Sequence, residues 1–269
     1  GGRRAPLLSK RASSDWQGVG GEMSEMSEEL FAEHVAMLGS IHLSSVDGYD
    51  ALKADALLMY SNSIRWTINL HARALAALLE RPDADLGADL PSFFDSWRDA
   101  VRLVDITFEL YANTVFPAVA DAAADAAAAE LAIARAQEAL DASSESLRRV
   151  LELESETPAP PALRSLVAAF VRMQTAMLAA LGTFEEAVEG ALAAGGELDV
   201  AAVHHDVVDQ VYLSTEAKLF LPALSKWFEG QAFFKEWIAE FVGEDKTRIF
   251  MRWKRNYEQV TLEPLYELM

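Results

Sequence analysis

The densest group of ligand-type side chains in this sequence is His204, His205, Asp206 and Asp209. On a helix, His205, Asp209, Tyr212 and Glu216 fall on one face at steps of four, three and four residues. Two of them could share a metal ion, or Asp209 could orient His205 as a general base. Either chemistry needs a further carboxylate from a different helix to complete a site. The face opposes Val203 and Val207, so the plainer expectation is a solvated or helix-pairing surface. His71 is a second ligand candidate. It lies inside an apolar stripe, where burial disfavours the charged ring and a neutral, hydrogen-bonded core histidine is expected. Ligand contact at His71 would need a pocket between helices, with Tyr60 and Trp66 as further lining.

Lys246, Arg248, Arg252, Lys254 and Arg255 place five cations in ten residues, interleaved with Phe250, Trp253 and Tyr257. Arg248, Arg252 and Arg255 share one helical face. Aromatic rings among cations can stack nucleic-acid bases. Phe250, Trp253 and Tyr257, however, keep a one-sided helical spacing, which marks a core face rather than a stacking platform. The chain also carries 42 acidic against 23 basic side chains, a net charge of −19, which opposes general phosphate binding. The expected partners of the cations are the chain's own acidic helices, or an anionic protein or surface. Lys246, Arg248, Arg252, Trp253, Lys254 and Arg255 are thus the partner-binding candidates, and His71, His205, Asp209 and Glu216 the ligand-binding ones.

Other chemistry has no foothold. The sequence holds no cysteine, which removes disulfides, thiolate metal sites and thiol nucleophiles. GxSxG, P-loop, GxGxxG and HExxH motifs are absent. No histidine has a glutamate three residues before it, as paired carboxylate-bridged metal sites in helical bundles require. No catalytic residue, metal set or cofactor is assigned.

The elements that position these groups all read as helices. Ser27 suits an N-cap for Glu28–Leu38, with Gly39 placed to stop it. From Asp47 or Gly48 to before Pro82 runs one long stretch with Leu57, Tyr60, Ile64, Ile68, His71, Leu75 and Leu78 at steps of three or four; Asn62, Arg65, Asn69 and Arg73 lie off that stripe. Residues 81–90 read as a loop, and Pro91 as a first helical position. An aromatic seam follows: Phe93, Trp97, Val101, Val104, Phe108, Tyr111 and Val115. Pro117 interrupts it, and Val119 to Val150 resume it. One straight helix over 91–156 would be about 99 Å long, against a radius of gyration near roughly 18 Å for a compact domain of this size. Pro117 is therefore expected to divide or kink it. Thr157–Pro161, with three prolines in five residues, reads as a linker and possible sub-boundary. Leu163 to Ala191 carry the next heptad stripe, with Gln174 as its polar member, and Gly195-Gly196 end it. Leu166–Phe184 approaches the length of a membrane span but contains Arg172, Gln174 and Thr175, and reads as a packed helix. Asp199 caps a helix from Val200 to about Leu221, closed by Pro222. The aromatic tail is expected to form two helices, 231–242 and about 245–258. Alternating strand patterns and fixed repeats are missing.

The expected fold is all-α: an antiparallel bundle or long hairpin with heptad packing, overlaid by short aromatic C-terminal helices. Residues 1–22 read as a disordered leader or misassigned start, and 23–269 as one helical domain. The function expected is a non-enzymatic, cytoplasmic interaction, scaffold or accessory-subunit protein that self-associates as a homo-oligomer, without a transmembrane segment. A helical enzyme or small-molecule or metal binder is the first alternative. The second rests on composition. Over about 91–192 the chain resembles phasins in its Ala-rich amphipathic helices, lack of cysteine and proline-rich hinge, which implies binding to a hydrophobic granule surface.

Overall fold

The structure is a computed structural model that describes residues 28–38, 41–46, 48–55, 58–81, 83–123, 125–156, 160–193 and 198–269. Among the described residues every regular element is helical, so the chain is all-α. The leader, Ser27, Gly39, the 157–159 part of the proline linker and Gly195-Gly196 lie outside them.

Helix α1 covers Glu28–Met37 and α2 Tyr49–Ala54. The long stretch expected from residue 47 breaks here: Asp55 is extended, and its carboxylate accepts from Leu58 N at 2.9 Å to open a new helix, α3, at Leu58–Leu79. That side-chain bond satisfies an amide that the first turn leaves free. Helix α3 is the centre of the molecule. Its off-stripe side is buried too, including Asn62 and Arg65. Three of the buried polar side chains there find partners across the fold. Arg65 grips Glu185 with two bonds of 2.9 and 2.8 Å. Asn62 donates to Ser44 O and accepts from Ser44 N, and Ser63 donates to Ala223 O.

Helix α4, Asp83–Leu110, begins inside the expected loop and carries Pro91 as its ninth residue rather than its first. The ring costs one bond to the Gly87 carbonyl, and Gly87 is exposed, so water can take that acceptor. At Pro117 the chain also continues. A π-helical turn, Tyr111–Val115, widens the register before α5, Phe116–Ala122, which holds Pro117 at its start. The actual break falls at Ala123–Asp125, where Asp125 caps α6, Ala126–Glu152, by accepting from Ala128 N at 3.1 Å.

Helix α7, Pro160–Ala193, starts on the two prolines and folds back along α6 as the most extensive helix pair of the structure. Gln174 is buried in it and donates to the Met37 carbonyl at the end of α1. Leu163–Ala193 is long and apolar enough to cross a membrane by length and composition, but most of that window is covered by protein here.

Helix α8 is Val200–Tyr212, capped by Asp199 as the sequence implies (3.0 Å from Ala202 N). It ends nine residues earlier than expected. Leu213–Glu216 form a turn closed by Ser214 on Val211 O, and α9, Ala217–Lys226, contains Pro222 internally. The tail holds three helical stretches, not two. The first is α10, Phe234–Trp237, widening into a π turn over Ile238–Val242. The second is α11, Glu244–Tyr257, and the third follows a π turn at Glu258–Leu262 as α12, Glu263–Leu268. One continuous apolar core joins these helices, and rings dominate it. Trp97 lies 4.9 Å from His71 and 5.1 Å from Phe170, while Phe228, Trp237 and Phe250 seat the tail.

Candidate interaction surface

The expected ligand face on α8 does not assemble. His205 packs at a tilt against Phe241, with ring centres 4.7 Å apart. Asp209 accepts from Lys246 Nζ at 3.2 Å. Glu216 lies beyond the end of α8 in the turn before α9, where it pairs with Arg102 of α4, which holds its carboxyl below the usual range. The three groups thus answer to three different elements. Among the described residues no three His, Asp or Glu side chains are placed to hold one metal ion.

Helix α8 buries the neighbouring histidine instead. His204 Nδ1 lies 2.9 Å from the Tyr60 hydroxyl, and its ring packs on Tyr60 and Phe241. Burial pulls its pKa down to about 4, only partly opposed by the Asp55 main chain. His71 is the core histidine that its stripe implies. Nδ1 donates to the Thr67 carbonyl at 2.8 Å, which makes Nε2 the acceptor of the Ser96 hydroxyl at 3.1 Å. Burial lowers this pKa to about 4 against the hydrogen bond to Thr67. With both nitrogens engaged and Phe93 and Trp97 on the ring, His71 has no free lone pair for a ligand. Tyr60 is fully buried, and burial pushes its hydroxyl well above the ordinary tyrosine range. A shallow cleft of about 180 Å³ lies between Leu43–Val46 and Trp227, Gln231 and Phe233, apart from His71 and the α8 face. It falls short of the roughly 300 Å³ at which small-molecule sites begin.

The cationic segment divides into two halves, and α11 explains why. Its inner face is anchored by Phe250 and Tyr257. Lys254 is buried beside them, paired with Glu229 and with Glu258 at 2.9 Å. Lys226 joins the same two carboxylates; burial alone would lower its pKa, but those bonds raise it, and together with Lys254 they hold Glu258 low despite that residue's own partial burial. Lys246 caps the ring of Tyr212 at 4.6 Å as well as meeting Asp209. Trp253 is half-buried against Tyr212. These cations therefore pair with the chain's own carboxylates, one of the two expected fates.

Arg248, Arg252 and Arg255 do not. They stand on the outer face of α11, exposed, and no ion pair within the described residues involves them. Ile249 (45% exposed) and Met251 (41%) flank the row. Of the ten large apolar side chains exposed among the described residues, six fall at Leu213 or within 249–269: Leu213, Ile249, Met251, Val260, Tyr266 and Met269. Reading by spacing finds the arginine row but not these apolar neighbours, because whether Ile249 or Phe250 faces the core depends on which side α9 packs. The chain matches no family model, no curated protein and no solved structure.

Proposed function

We propose that this protein is a non-enzymatic helical interaction protein, a scaffold or accessory subunit that self-associates through the outer face of its C-terminal helices. The carrying observation is the division within α11. The segment spends two of its cations and its rings on anchoring itself, and among the described residues leaves three arginines without an ion pair beside Ile249 and Met251. An unpaired cation row among exposed apolar side chains has the composition of an interface, where arginine and methionine are enriched and lysine is not. On a chain of net charge −19, every other copy presents mostly carboxylates to it. The scattering of His205, Asp209 and Glu216 onto separate partners and the engagement of both nitrogens of His71 weigh against a ligand site at the residues first suspected.

The test is multi-angle light scattering on the full chain at low salt over a wide range of concentration. Self-association that rises with concentration and weakens with salt is the expected result. A strict monomer throughout refutes the reading.

A further inference from the structure

We infer that the surface receiving the α11 arginine row is the acidic face of α6 in a second copy of this chain; this rests on the self-association proposed above. On α6, Glu138, Asp141 and Glu145 are exposed and share one face. Their steps, read backwards from Glu145, are four then three residues. The arginine row reads four then three forwards from Arg248. Laid antiparallel, the two helices put Arg248 opposite Glu145, Arg252 opposite Asp141 and Arg255 opposite Glu138. Both rows are about 10.5 Å long at 1.5 Å per residue, so the register holds over the whole contact.

The neighbourhood supports that pairing. Exposed Val260, beyond Arg255, comes within two residues of the level of Leu131, which is 56% exposed and seven residues from Glu138 on the same face of α6. Two of the three cations on α6 are already committed, while Arg135, exposed just before the row, makes no ion pair among the described residues. Arg148 binds Asp105 at 2.8 Å and approaches Glu145 only at 4.0 Å, and Arg149 pairs with Glu152. Asp141 accepts only a neutral amide, from Gln137. Among the described residues no ion pair joins the two rows within one chain, so the match is open to another copy. Pairing α11 with α11 in a two-fold contact would set arginine against arginine. A contact between two different faces avoids this, and forms either a reciprocal dimer or a longer head-to-tail assembly. One pair of short helix faces buries less than the roughly 800 Å² per partner of a stable interface, so a single contact gives association that follows concentration.

The experiment uses charge exchange in the full chain. Variant A carries Arg248→Glu, Arg252→Glu and Arg255→Glu. Variant B carries Glu138→Arg, Asp141→Arg and Glu145→Arg. Variant C carries all six changes. All six sites are exposed and receive good helix formers, and circular dichroism and thermal melting check that each variant folds. Sedimentation equilibrium at low salt is expected to show A and B associating about 100-fold more weakly than the parent, from three exposed pairs turned repulsive. In C the charges are swapped but complementary, and association returns to within about 10-fold of the parent. If the parent associates and A and B do so equally well, the α6–α11 pairing is overturned while self-association stands. If A and B are weak and C stays weak, the register is overturned. A monomeric parent overturns both.

Discussion

Two buried histidines with folded pKa values of about 4 make the stability of this protein depend on pH between 7 and 5. In the unfolded chain each imidazole titrates near 6.5. Between 6.5 and 4, therefore, the unfolded state binds up to two protons that the folded state refuses. Their contribution is complete above pH 6.5 and is lost as pH falls towards 4. From pH 7 to pH 5, the difference between those titrations withdraws about 1.8 kcal/mol per histidine, or about 4 kcal/mol for both. That is a large part of the roughly 5–15 kcal/mol that holds a typical domain folded. The perturbation is to replace one ring at a time by a group that does not titrate, in His71→Asn and His204→Asn. Each variant should be less stable at pH 7, because Ser96 and Thr67 in one case and Tyr60 in the other lose a partner. Yet each should lose about 2 kcal/mol less than the parent on going from pH 7 to pH 5. Urea unfolding at pH 7, 6 and 5, with midpoints and slopes fitted for all three proteins, measures this directly. Glu216 and Glu258, whose pKa values lie below the usual carboxylate range, titrate alike in all three and drop out of the comparison. Variants that follow the pH dependence of the parent would refute the claim that these rings are held neutral by burial.

The Arg65–Glu185 pair gives a second test. Arg65→Met leaves a carboxylate with about a quarter of its side chain exposed and no cation, and should cost about 3 kcal/mol. Adding Glu185→Leu should recover most of that, whereas strictly additive losses in a double-mutant cycle would show that the pair is not coupled. Asp199→Ala removes the cap on Ala202 N and should cost about 1 kcal/mol in denaturant unfolding. Faster amide hydrogen exchange confined to the first turn of α8 would locate that loss at the cap.

The elements legible in the sequence are those fixed by local rules. Asp199 caps α8 because a carboxylate before a helix satisfies an amide three residues on, and nothing distant enters that argument. The stripes of α6 and α7 are long enough for their period to be unmistakable. Proline misleads in both directions. Pro91 and Pro222 look like boundaries but sit inside α4 and α9, where their orphaned acceptors belong to exposed Gly87 and Lys218 and can bond to water. Three breaks that the spacing does not mark, at Asp55, at Ala123–Asp125 and at Leu213–Glu216, carry no proline, whereas Pro82 and the start of the proline linker do fall between helices. Two of those three end at an aspartate that caps the next helix and competes with helix continuation.

The candidate site divides along the same line. A helical wheel can say that Arg248, Arg252 and Arg255 share a face, and it also says that His205, Asp209 and Glu216 do. Only packing separates the two cases. Glu216 leaves the face because α8 ends at Tyr212, and Asp209 is taken by a lysine 37 residues along the chain. What binds these carboxylates is contributed by α4 and α11, whose approach no local spacing encodes. The arginine row survives because the rings opposite it, Phe250 and Tyr257, are committed to the core and fix the rotation of α11. With that rotation fixed, the outward residues have no choice but solvent or another molecule. Lys254, one residue from Arg255, shows the alternative: pointing inward, it meets Glu229 and Glu258 and has no charge left to offer.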